Sequence, residues 1–154
     1  MGETIIRPLS ECATIERSQK GQLYSAGTIL IPISGVSRNN CEVKILKTNS
    51  LVDGRYVCVN SKNYPPYFLF SVIEYSLPNF LSRYLQTINI AFEDIGRMKI
   101  KIPTDDRVIY LLDKSMQAMD ENQERIENQI IELQKIKNFF LPVSYTHLRA
   151  HETL

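Results

Sequence analysis

The sequence predicts an α+β fold: a compact mixed-sheet domain over residues 1–103, then one long coiled-coil-type helix over 104–141. Three observations predict it. Short β-branched runs alternate with turn residues through the first hundred positions. Pro103 then stops the alternating run Lys99-Ile100-Lys101-Ile102. From there to Pro142 the chain has no proline or glycine, and its apolar residues recur in steps of three and four.

Pro8–Ile15 is expected to open the domain as a short helix or turn, with Ser10 as a candidate cap. Ser18–Gly21 is a turn. Gly27–Ile33 has the β-branched character of a buried strand, and Pro32 places it near an edge or a bend. Ser34–Asn40 is a polar loop, and Glu42–Lys47 alternates around Val43 and Ile45 as a strand. Asp53-Gly54 signals a turn. Arg55–Asn60 alternates again, with Tyr56, Cys58 and Asn60 opposite Val57 and Val59. Pro66 suits a first helical position, and the apolar segment after it has helical length; Pro78 is expected to interrupt it, with Asn79–Gln86 as a second short helical piece. Thr87–Ile90 and Met98–Ile102 read as strands around a Phe92–Ile95 turn.

After Pro103, Thr104 is a candidate N-cap, with Asp105 and Asp106 in the first turn where the helix dipole favours carboxylates. Leu112, Met116, Met119, Ile126, Ile130, Leu133 and Phe140 then form a heptad seam in which Gln123 and Lys137 hold polar positions. Glu121 and Arg125 stand at i,i+4 spacing. A helix of about 38 residues is close to 57 Å long. A body of about 100 residues has a radius of gyration of roughly 13 Å, so packing on its own body would leave much of the seam uncovered. The expected partner is another helix in another chain.

Charge divides the same way. Residues 20–101 hold ten basic and five acidic residues, a net +5, while 102–141 hold five and eight, a net −3. A mildly basic body joined to an acidic helix suits a polyanion-facing part and a protein-facing part. Cys12, Cys41 and Cys58 have no metal-type spacing and are expected as free thiols in the cytoplasm. The N-terminus lacks a signal-peptide pattern and no apolar run is long enough to span a bilayer, so no membrane association is expected.

The tail Ser144–Leu154 reads SYTHLRAHETL and lacks apolar periodicity. Its first ten residues resemble a translated sequencing-adapter read-through, so residues 142–154 are expected to be non-native. Both histidines, His147 and His151, lie in this tail. Without them, serine–histidine, cysteine–histidine and histidine–zinc chemistry is unavailable. Neither a G-x-x-x-x-G-K-[ST] nor a G-x-G-x-x-G motif occurs. The expectation is a non-enzyme with no catalytic residues, no metal and no cofactor.

The order of segments resembles the specificity subunit of type I restriction–modification systems, in a short form with one target-recognition domain and one spacer helix. The resemblance covers roughly residues 6–141. PLSECATIERSQKGQLYSAGTILIPISG is similar to that family's opening, and YPPYFLFSVIEYSLPNFLSRYLQTINIAFEDIGRMKIKIP to its later half. DKSMQAMDENQERIENQIIELQKIKNFFL is similar to its spacer helix, including Leu133-Gln134-Lys135-Ile136-Lys137. Two departures stand out. Typical members carry two recognition domains and two spacer helices, and a Glu-Gln pair where this chain has Asp105-Asp106-Arg107.

The resemblance implies a non-catalytic subunit that binds duplex DNA, reads a half-site and holds methyltransferase and restriction subunits around it. A one-domain form is expected to homodimerise, or to pair with another half-subunit, through the helix. An antiparallel pair with two-fold symmetry would present two half-sites of a divided palindrome. Base reading needs paired donors and acceptors on exposed loops. The candidates are Ser37, Arg38, Asn39 and Asn40 in one loop, and Lys62, Asn63 and Tyr64 in another. Lys44, Lys47 and Arg83 are candidate phosphate contacts. The alternative is a dimerising adaptor that uses the helix without binding DNA; salt-dependent DNA binding separates the two.

Overall fold

The computed structural model describes residues 3–33, 41–83 and 92–140. In order they form β1 (Thr4–Pro8), α1 (Leu9–Cys12), β2 (Ala13–Arg17), β3 (Leu23–Tyr24), β4 (Ile29–Pro32), β5 (Lys44–Ile45), β6 (Ser50–Leu51), β7 (Tyr56–Ser61), α2 (Pro66–Ser82), α3 (Phe92–Gly96), β8 (Lys99–Pro103) and α4 (Asp106–Phe140). The fold is α+β, as expected, and every strand pair among the described residues is antiparallel, where a mixed sheet was expected. Two units divide it, one through Met116 and one from Gln117 onward.

In the first unit a four-stranded sheet runs β2-β7-β4-β5. The β-branched content expected of buried strands lies at its centre. Ile29 faces Val59 and Ile31 faces Val57 across β4 and β7. These four pack into the main core with Phe68, Leu69, Ile73 and Leu77 of α2. The alternate residues Leu30 and Cys58 point the other way, into a smaller cluster with Tyr24 and Val52. Cys58 is therefore as buried as the valines beside it, because both sheet faces are covered here.

Several expectations change. Pro32 sits at the end of an interior strand. Ile33 donates to Arg55 of the β7 side at 3.1 Å, so the nitrogen of Pro32 faces the opposite neighbour, where β5 has ended. The strand expected over Glu42–Lys47 shortens to Lys44–Ile45. Leu46 instead exchanges hydrogen bonds with the turn before β4, donating to Thr28 and accepting from Gly27. Gly27 turns there at φ +92°, in the left-handed region that glycine occupies freely. Pro8–Ile15 resolves into the end of β1, α1 and the start of β2, and the α1 cap position is Pro8, not Ser10. The turn at Asp53-Gly54 leads into β7, while β6 before it pairs with β3. The Phe92–Ile95 turn is the short helix α3. The strand expected over Thr87–Ile90 and the residues 84–86 lie outside the described residues.

Pro66 opens α2 as expected, but Pro78 does not break it. A proline inside a helix removes one N–H donor and crowds the preceding turn. Leu77, Phe80 and Leu81 bury the last turn against the core on either side of Pro78, and this tertiary packing holds the helix through it. The N-terminus of α2 has no side-chain cap from its own flank, since Pro65 stands there. Asp113 of α4 supplies one from a distance: its Oδ1 accepts the Phe68 N–H at 3.0 Å, and Asp113 is only 6% exposed.

β8 pairs antiparallel with β1, Thr4 facing Pro103 and Pro8 facing Lys99. Its alternation is clean: Ile100 and Ile102 are buried, Lys99 and Lys101 exposed. Thr104 then donates from both its amide and its hydroxyl to the Glu3 carbonyl, so it extends the β1–β8 pairing and does not cap α4. The cap is Asp105, whose Oδ1 accepts the Arg107 N–H at 2.9 Å. The Arg107 side chain also holds the Asp105 carboxyl below the usual carboxylate range.

α4 runs 35 residues without interruption. Its first turns belong to the first unit: Ile109 joins the core and Met116 packs against it. In the second unit every described side chain from residue 121 to 139 is exposed. Gln117 bonds to Glu121 at 3.4 Å, Gln123 to Glu127 at 3.2 Å and Lys135 to Glu132 at 3.4 Å along its surface. No helix among the described residues is long and apolar enough to cross a membrane.

Candidate nucleic-acid interface

Ser37, Arg38, Asn39 and Asn40, the first candidate loop, lie outside the described residues. Lys44 stands exposed on β5, on the solvent side of Leu30, and Lys47 is exposed just after it. Lys62 follows β7; its amide donates to Cys12 and its ammonium reaches the Ser10 carbonyl at 3.2 Å, tying it to α1. Asn63 is exposed at the apex of the turn.

Tyr64 has a structural task. Its ring packs on Phe68 with centroids 5.9 Å apart, and its backbone is bracketed by the Ser61 hydroxyl, which donates to its carbonyl and accepts from its amide. The turn that carries Lys62 and Asn63 is thereby fixed to the start of α2.

Arg83 is exposed at the C-terminal end of α2. It borders a groove of about 460 Å³ between α2 and β8, together with Tyr75, Asn79, Lys99 and Lys101. Lys99 and Lys101 belong to neither of the loops expected to read bases, nor to the expected phosphate contacts. Their alternation with Ile100 and Ile102 was a sufficient signal that both share one exposed face. Their proximity to Arg83 follows only from the packing of α2 on β8.

The three thiols are free. Burial pushes Cys41 and Cys58 up to about 11 and raises Cys12 as well. They are protonated at neutral pH, the opposite of an activated nucleophile. Among the described residues no group of three His, Cys, Asp or Glu side chains could hold a metal ion.

The expected helix seam divides between the two units. Met116 is half-buried against the core of its own unit. Leu112, Met119, Ile126, Ile130 and Leu133 are exposed, as are Gln123 and Lys137. The side chain of Phe140 lies outside the described ones. Ile131, Ile136 and Phe139 add exposed apolar surface that the seam did not include.

No family model matches the sequence, and no curated protein matches it. Solved structures do match. The fold is similar to the S subunit of a type I restriction–modification system from M. genitalium, with a TM-score of 0.67 at 13% identity. It is also similar to the HsdS subunit from Thermoanaerobacter tengcongensis, with a TM-score of 0.58 at 10% identity. A chain from a structure of type I restriction–modification complex assembly matches with a TM-score of 0.58 at 12% identity. Each match covers 90% of this chain and 44–45% of the other, so this chain spans less than half the length of its structural neighbours.

Proposed function

We propose that this chain is a half-length specificity module of a type I restriction–modification complex, which binds duplex DNA in a sequence-specific way and positions methyltransferase and restriction subunits. One observation carries the reading: the similarity to S subunits covers 90% of the chain, enough to take in both the antiparallel-sheet body and much of the long helix. In this reading residues 1–103 form the recognition domain and 104–141 the spacer helix. The Ser37–Asn40 loop and Asn63 read bases, while Lys44, Lys47 and Lys62 meet phosphates. Two copies, or this chain and another half-subunit, pair through Leu112, Met119, Ile126, Ile130 and Leu133, and so present two half-sites. The module does no chemistry itself.

The test is selection of duplexes from a randomised pool by the purified chain, alone and with a type I methyltransferase subunit. The expected result is enrichment of a short divided motif, with affinity that falls steeply as salt rises. No salt-sensitive DNA binding in either form overturns the reading in favour of a dimerising adaptor.

A further inference from the structure

We propose that the groove between α2 and β8 is a phosphate-binding face for duplex DNA, with Arg83, Lys99 and Lys101 as its cations. The proposal rests on the DNA-recognition reading above and adds a site on the regular elements, away from the loops that read bases.

The geometry follows from two periodicities. On β8, residues two apart share a face, so burial of Ile100 and Ile102 turns Lys99 and Lys101 outward together. On α2, residues four apart share a stripe, and Tyr75, Asn79 and Arg83 line the facing wall of the groove. Phe80 and Met98 are buried in its floor, which fixes both walls to the core. The cations therefore stand on a rigid base.

Charge is one-sided there. Among the described residues no carboxylate lines the groove. Among the described residues no carboxylate pairs with Arg83, Lys99 or Lys101. Several arginines of this unit are instead paired locally, Arg55 with Asp53 at 3.0 Å, Arg97 with Asp94 at 3.6 Å and Arg107 with Asp105 at 3.2 Å. Residues 84–91, which follow Arg83, contain no Asp or Glu. Three like charges around one groove, with no carboxylate partner among the described residues, repel one another until a polyanion neutralises them.

The remaining lining chemistry suits phosphate oxygens. Tyr75 is 81% exposed and offers a hydroxyl, and Asn79 and Ser76 offer further neutral donors. This mixture of cations with hydroxyl and amide donors is the usual set for backbone contacts, which position a protein on DNA without specifying sequence. An acidic protein surface is the competing occupant. The neutral donors and the sequence-wide role proposed above favour DNA.

The test uses the full chain with its methyltransferase partner and a fluorescein-labelled duplex of mixed sequence, followed by anisotropy between about 50 and 200 mM salt. Each phosphate contact contributes about 0.9 to the log–log salt slope, so R83Q/K99Q/K101Q should lower it by about 2.7. Over that fourfold change in salt the wild type then loses about 40-fold more affinity than the triple variant. The matched variant R107Q/K114Q/K135Q removes equal charge elsewhere and should keep the wild-type slope. All three groove residues are exposed, so an unchanged melting profile is expected. A wild-type slope in the triple variant overturns the site while leaving the DNA reading intact. So does an equal fall in the matched variant, or loss of the methyltransferase partner at an unchanged slope. Absence of binding by the wild type overturns both.

Discussion

Replacing Asp113 with alanine removes the side-chain cap that α2 receives at Phe68. The Phe68 amide is fully buried and donates to Asp113 Oδ1 at 3.0 Å. Without that acceptor a buried donor stays unsatisfied, which costs about 1–3 kcal/mol. Loss of an N-cap alone costs about 1 kcal/mol. The two figures describe overlapping events, so the expected loss is about 2 kcal/mol. For a body of this size each kcal/mol shifts the melting temperature by about 3–5 °C, giving a fall of roughly 6–10 °C. Asp113→Asn keeps an acceptor oxygen at the same place and should lose less than half as much. Thermal unfolding monitored by tyrosine signal measures both variants, and hydrogen exchange at the Phe68 amide reports the bond itself. If Asn and Ala destabilise equally, the hydrogen bond is not what Asp113 contributes. If neither variant changes Phe68 exchange, the cap is absent in solution.

Two further outcomes follow from features described above. Ile126→Asp combined with Ile130→Asp places charges in the exposed seam of α4 and should lower the sedimentation mass without reducing helicity; an unchanged mass would count against pairing through this face. Burial raises Cys41 and Cys58 to about 11, from ordinary thiol values near 9, so the unfolded chain loses these protons first as pH rises. Their contribution is complete below about pH 9 and is lost between about 9 and 11. Urea midpoints should fall across that window, and less steeply in C41A/C58A. Identical slopes would mean that the thiols reach solvent in the folded protein.

The long helix was legible because its evidence is local: no breaker and a steady spacing of apolar residues. β4 and β7 were legible for the same reason, as runs of Ile and Val. β1 was not. Its pairing partner is β8, almost a hundred positions away, and TIIRP alone carries no clear period. Pro78 misled because its local penalty is real, while the burial of Leu77, Phe80 and Leu81 that outweighs it is tertiary. Thr104 is an acceptable cap by residue type, yet its hydroxyl goes to Glu3, at the far end of the sequence. The groove cations show the same division. The shared face of Lys99 and Lys101 is written in their alternation, but Arg83 joins them only through the packing of α2.

The pairing of β1 with β8 has a further consequence. The chain enters the first unit along one of these strands and leaves for α4 along the other. Paired antiparallel strands hold facing Cα atoms about 4.5–5.5 Å apart. Entry and exit are therefore neighbours, and everything from α1 to α3 hangs as one closed excursion between them. Such a unit could be exchanged for another only if the new one began and ended on the same strand pair and offered the same contacts to Ile109, Asp113 and Met116 of α4. The root of α4 is then held twice, by the strand pair it leaves from and by Ile109, Asp113 and Met116, which reach back into the excursion.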